Sequence, residues 1–163
     1  MSIKVEKILS FGDGEHRFHF ESPSKGIGLD LKNFEGRDVF DQPITADVIL
    51  SKVNHVYYLK IHAASVAHFL CDRCLEDVHR SVEGNFEVVF SDLRQPGDGE
   101  TEIRSIDPHK VNDVVLDKDI CDTLLLAVPT KVLCQENCRG LCVECGADLN
   151  HAVCAHAAVS ASP

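Results

Sequence analysis

The chemistry this sequence offers is concentrated in cysteine and histidine. Eight cysteines stand at Cys71, Cys74, Cys121, Cys134, Cys138, Cys142, Cys145 and Cys154. Cys71/Cys74 and Cys142/Cys145 are C-x-x-C pairs. That spacing lets one tight turn aim two sulfurs at one ion while backbone N–H groups bond to the thiolates. The stretch from Cys142 to His156 reads C-x2-C-x8-C-x-H, four donors closed over a short loop at small entropic cost. The chemistry expected of such a set is structural zinc binding. Disulfides fit poorly: the N-terminus MSIKVEKILS opens no signal-peptide run, so a cytoplasmic chain with reduced thiols is expected. A redox C-x-x-C belongs between a strand and a helix start, and no clear helix opens after Cys74.

Cys121 falls alone inside a helical pattern, where a cysteine serves as a small core residue. The other seven cysteines and one histidine make eight ligands, enough for two tetrahedral zinc ions. His156 is the expected eighth ligand, with His151 as the fallback. One partition closes Cys142, Cys145, Cys154 and His156 locally and leaves Cys71, Cys74, Cys134 and Cys138 for the second ion. The alternative is a ribbon that joins Cys71/Cys74 to Cys142/Cys145 and leaves Cys134, Cys138, Cys154 and His156. Catalytic zinc usually keeps three protein ligands and a water, so sulfur-rich sets of four read as structural.

Sixteen basic against twenty-six acidic residues give a formal charge of −10. Seven ligand thiolates and two Zn²⁺ would move it to about −13. A broad phosphate-binding face is thereby disfavoured, since nucleic-acid affinity needs clustered Lys and Arg, and a basic protein partner is favoured. No phosphate loop, G-x-S-x-G or paired carboxylates are found, so neither an enzyme nor a small-molecule substrate is expected. The remaining histidines form no metal-spaced or triad-like set. Arg73 reads as exposed or locally hydrogen-bonded in preference to a partner contact.

What must position these residues is a sheet. The 163 residues, 44% apolar, suit one domain, and no run approaches the roughly 20 apolar residues of a membrane helix. Short strands are expected over Ile3–Leu9 and Arg17–Phe20, then a long loop from Glu21 to Asp41 with one turn of structure. Ile44, Ala46, Val48 and Leu50 alternate as in a half-buried strand. Lys52–Asn54 turns the chain into a returning strand over Val56–Ile61 that continues to Leu70. CDRC then caps a hairpin whose second arm runs through Val78–Val82 and Phe86–Phe90. An acidic loop spans Ser91–Glu102. Asp117 is the expected N-cap of a helix through Ile120, Leu124 and Val128, stopped by Pro129. The fold class predicted is α+β: an antiparallel meander with one main helix (residues 1–129), followed by a cysteine-rich zinc-knuckle segment (residues 130–163) expected to form one structural unit with it, with a frayed tail from Ala157.

The order of VAHFLCDRCLEDV, DICDTLLLAVPTKVLC and ENCRGLCVECGADLN closely resembles the YceD family of bacterial proteins, named as large ribosomal RNA subunit accumulation proteins. The resemblance covers roughly Ile44 to His156. It implies a non-enzymatic role in the synthesis, processing or stability of 23S ribosomal RNA. Where many members end in C-x-C, this chain has Cys154-Ala155-His156, and Val143 stands where the family's knuckle often carries Pro. Joined to the charge, the resemblance implies action through a ribosomal or ribosome-assembly protein or the pre-50S particle, with direct RNA binding weak. The competing expectation is a thiol and zinc redox sensor.

Overall fold

The computed structural model describes residues 1–4, 10–91, 103–105 and 113–156. The expected continuation of the first strand to Leu9, the acidic loop over 92–102 and the tail from Ala157 lie outside them. The described elements are a predominantly antiparallel sheet and one α-helix, an α+β arrangement. Strands β1 (Ser2–Lys4) and β7 (Asp113–Val115) pair as a small ribbon. The main sheet has the order β2 (Gly14–Ser22), β3 (Ile44–Val53), β4 (Val56–Leu70), β5 (Asp77–Ser91) and β6 (Ile103–Ser105). Its first four strands are antiparallel neighbours, as a meander requires. The last is not: β6 runs parallel to β5, so the meander ends at β5.

Period-2 patterning explains the sheet. Ile44, Ala46, Val48 and Leu50 of β3 and Tyr57, Leu59, Ile61 and Ala63 of β4 are buried on one face. The opposite face carries Asp47, Tyr58, Lys60 and Glu87, which are exposed. Asn54, at φ 54°, makes the β3–β4 turn, a conformation that Asn tolerates well. The expected second arm, through Val78–Val82 and Phe86–Phe90, is one continuous 15-residue strand.

Helix α1 (Asp117–Ala127) lays Ile120 and Leu124 on the buried face of the sheet. Gly84 of β5 permits this approach, because a Cβ there would lie 2.6 Å from Thr123 Cγ2. The helix begins one residue earlier than expected, at Asp117 itself. Leu116 is the N-cap residue and makes no side-chain capping bond. Asp117 instead pairs with the Met1 amino group, and the Leu116 N–H donates to Met1 O at 3.0 Å. The N-terminus has displaced the local cap. Asp119, in the first turn, accepts two bonds from Arg104 at 2.8 and 2.9 Å. Cys121 is buried in the core, with Sγ 3.1 Å from Ile27 O.

The segment from Glu21 to Asp41 departs furthest from its expected loop. β2 runs into it, a 3-10 turn occupies Ser24–Ile27, and Ile27, Leu29, Val39 and Phe40 are buried. Ile27, Leu29 and Leu31 alternate with exposed residues, but the run is too short to form a strand, and Val39 and Phe40 stand apart from it. They fill the core from short runs that no regular strand or helix announces.

Candidate metal centres

The first centre is built at the β4–β5 tip. Cys71 and Cys74 flank a turn in which the Cys71 N–H donates to Glu76 O at 2.8 Å and the Leu75 N–H to Cys71 O at 2.9 Å. After the helix, Pro129 breaks the backbone and the chain crosses this turn. The Asp72 N–H donates to Val132 O at 2.8 Å, and the Val132 N–H returns a bond to Asp72 Oδ2 at 2.6 Å. This exchange delivers Cys134 and Cys138. The four sulfurs of Cys71, Cys74, Cys134 and Cys138 all lie within 4.8 Å of one another. Cys71 Sγ is 3.7 Å from Cys138 Sγ, and Cys74 Sγ 3.6 Å from Cys134 Sγ. A tetrahedron with Zn–S bonds of about 2.3 Å has an S···S edge of about 3.8 Å, whereas a disulfide closes to about 2.05 Å. The spacing matches ligation and excludes a bond.

The donor set also fits a cation chemically. Burial alone would raise the Cys71 thiol, yet backbone N–H groups of Arg73 and Cys74 bring it down to about 6. Cys74 is pushed up by burial. Cys134 is pushed up by burial and by the neighbouring thiols of Cys74 and Cys138. Thiols packed this closely oppose one another's ionisation, an opposition that a divalent ion removes. Asn150 Nδ2 donates to Cys138 Sγ at 3.4 Å.

The second centre repeats the turn. The Cys142 N–H donates to Ala147 O and the Gly146 N–H to Cys142 O, both at 2.8 Å. Gly146 at φ 70° corresponds to Leu75 at φ 65°. The donor atoms of Cys142, Cys145, Cys154 and His156 lie within 4.8 Å of one another. N–H groups of Glu144 and Cys145 lower the Cys142 thiol to about 7. The Ala147 N–H pulls Cys145 down, but the adjacent Cys142 thiol and burial leave it raised. His151 is outside the group, with Nε2 3.7 Å from Asp148 Oδ2.

The structure therefore brings the eight residues together in the local and long-range sets and does not join Cys71/Cys74 to Cys142/Cys145 as a ribbon would. Arg73 is locally engaged: Nη1 donates to Cys138 O at 2.7 Å, and its own carbonyl accepts the Leu141 N–H at 3.1 Å. Gly140 at φ 76° lets the second knuckle sit against it, since a Cβ there would be 3.1 Å from Arg73 O. Asp72 and Asn150, which hold the cysteine segments in place, are not conspicuous in the sequence. The one local signal is that a residue between two knuckle cysteines is free to face the next segment.

Residues 59–163 match the family described as Large ribosomal RNA subunit accumulation protein YceD. The chain belongs to the YceD family. The match contains all eight residues of the two centres, together with β5 and α1. An uncharacterized protein of Mycobacterium leprae, ML1660, is 27% identical over 124 residues, covering 76% of this chain and 55% of its own length. A protein of Arabidopsis thaliana named Large ribosomal RNA subunit accumulation protein YCED homolog 1, chloroplastic, is 24% identical over 110 residues, covering 52% of this chain and 34% of its own. The chain thus spans about half or less of these relatives' lengths. No solved structure matches. Among the described residues no helix is long and apolar enough to cross a membrane.

Proposed function

We propose that this YceD-family chain is a non-enzymatic factor that supports 23S rRNA accumulation and large-subunit biogenesis, holding two structural zinc ions. The observation that carries the reading is the family match over 59–163, which encloses both four-donor clusters. Cys71, Cys74, Cys134 and Cys138 hold one ion; Cys142, Cys145, Cys154 and His156 hold the other. Zinc neutralises the crowded thiolates and cross-links the segment from residue 130 to the sheet, making one structural unit of 1–129 and 130–163. With a charge of −10 before metal binding, the factor works in the cytoplasm through a basic ribosomal or assembly protein on the pre-50S particle, and naked RNA binds weakly.

Depletion tests the reading. It lowers the ratio of large to small subunits on a sucrose gradient, and a variant lacking the Cys71/Cys74 pair does not restore it. A normal ratio in depleted cells refutes the ribosomal assignment. One observation favours a second reading, a thiol switch: Cys145 is exposed and Cys154 half-buried. An oxidant such as a peroxide would take two electrons from that thiolate pair, form the disulfide and release the ion. Zinc release by peroxide at the second centre alone would support it.

A further inference from the structure

Beside the first centre, sharing Cys71 and Asp72 with it, lies an open groove of about 460 Å³. Its floor is buried and apolar, with Val39, Phe69 and Leu70. Exposed apolar side chains of Phe34, 70% exposed, and Leu75, 46% exposed, also line the groove, together with Val128 and Pro129. Two observations set this patch apart from scattered surface hydrophobics. Leu75 occupies the left-handed position, φ 65°, that the second knuckle gives to Gly146. A branched, water-exposed side chain is thus held where glycine suits the backbone better. Asn33 also lines the groove, and the N–H groups of Glu35 and Arg37 take its Oδ1, both at 3.0 Å. Its Nδ2 is buried with no acceptor among the described residues. With a small shift of this loop, an entering backbone carbonyl would have a donor to meet.

The rim is acidic. The segments 29–41, 71–77 and 128–132 that frame the groove hold seven carboxylates against four cations. Ion pairs engage both signs, Lys32 with Asp38 and Asp30 and Arg37 with Glu35 and Asp77, while Arg73 bonds Cys138 O, so the three segments keep a net excess of three carboxylates. Asp41 and Glu76 stand exposed.

We propose that this groove docks an extended basic segment of a protein partner, an apolar side chain seated between Phe34 and Leu75 and flanking Lys or Arg residues on the acidic rim. The burial of one apolar anchor supplies affinity, and the charges steer the approach and select against acidic chains and RNA. The inference deepens the proposed function by placing its basic partner. It rests on that reading for the partner's class and not for the groove.

The test uses the full-length, zinc-loaded chain labelled with ¹⁵N. The probe is a synthetic peptide with a leucine–phenylalanine centre between lysine pairs. Its addition shifts the Asn33 side-chain amide and the backbone amides of Phe34, Leu75 and Thr130. Phe34→Ser and Leu75→Gly each weaken the peptide at least about fivefold, the scale of losing one apolar contact surface. Both positions are exposed and Leu75→Gly relieves the backbone, so neither loss reflects unfolding. A glutamate-for-lysine version of the peptide produces no shifts. Shifts confined to the opposite sheet face around Tyr58, equal binding of the glutamate peptide, or the same groove shifts from an oligouridine would overturn the proposal. Groove binding together with a normal subunit ratio in depleted cells would retire the ribosomal reading while the groove stands.

Discussion

If the first cluster holds zinc as proposed, replacing Cys71 and Cys74 together by serine removes the ion that would join the β4–β5 tip to the segment after the helix. Cys71 and Cys138 are separated by 67 positions. Treated as a cross-link that closes a loop of that length, the bridge withholds about 4.4 kcal/mol of chain entropy from the unfolded state. Against a total stability of about 5–15 kcal/mol, that is a large share. The corresponding pair Cys142→Ser/Cys145→Ser opens a loop of about 15 residues, nominally about 3 kcal/mol. That loss stays local, because the donors of the second centre all lie between Cys142 and His156 and none is in the sheet. The assay is guanidinium unfolding followed by circular dichroism, with metal content measured on the same samples. Each double variant holds one zinc fewer. The first lowers the midpoint by about 1 M at a slope of about 4 kcal/mol/M; the second leaves the main transition close to that of the parent. A main transition that falls equally in both variants, or in neither, would refute the cross-link reasoning.

Other expectations follow from single contacts. Protein prepared without chelator carries two zinc per chain by elemental analysis, and Cys121→Ala keeps both while costing about 1 kcal/mol for a lost buried contact. Leu75→Gly raises stability by about 1 kcal/mol in thermal unfolding, since the left-handed backbone no longer opposes a side chain; a lower Tm would contradict the strain. Gly84→Ala costs about 1–3 kcal/mol, because the added methyl meets Thr123 and the helix must lift. A peptide spanning Leu133 to Pro163 binds one zinc in a colorimetric titration, as a locally closed centre requires, and failure to do so would count against local closure.

How much of this could be read in the residue string depends on the range of each interaction. The strands over Ile44–Leu50 and Val56–Leu70 were legible because one face of each is buried, so the period is printed in the residues. The grouping of Cys142, Cys145, Cys154 and His156 was legible because the loop between them is short. Its long-range counterpart followed only by pairing off the remaining cysteines; nothing local to Cys71 points 67 positions ahead. The burial of Ile27, Leu29, Val39 and Phe40 was not legible, since the alternation through Leu31 is too short to stand out in a Gly- and charge-rich segment and Val39 and Phe40 stand apart from it. Asp117 has the type of a cap, but a distant amino group claims it. The parallel β6 is a matter of topology that its three residues cannot announce.

The distance between the halves of the first centre also has a dimension in time. A ribosome adds about 5–20 residues per second, so roughly 3–13 s separate the making of Cys71 from that of Cys138. During that interval the hairpin can form, but its two tip thiols have no partners and remain open to oxidants and to competing metals. The second centre needs only 15 residues, and its last donor comes after every donor of the first. The stretch from Cys134 to His156 therefore completes both centres in quick succession, and a nascent chain halted before Cys134 carries a finished hairpin with an unfinished clasp.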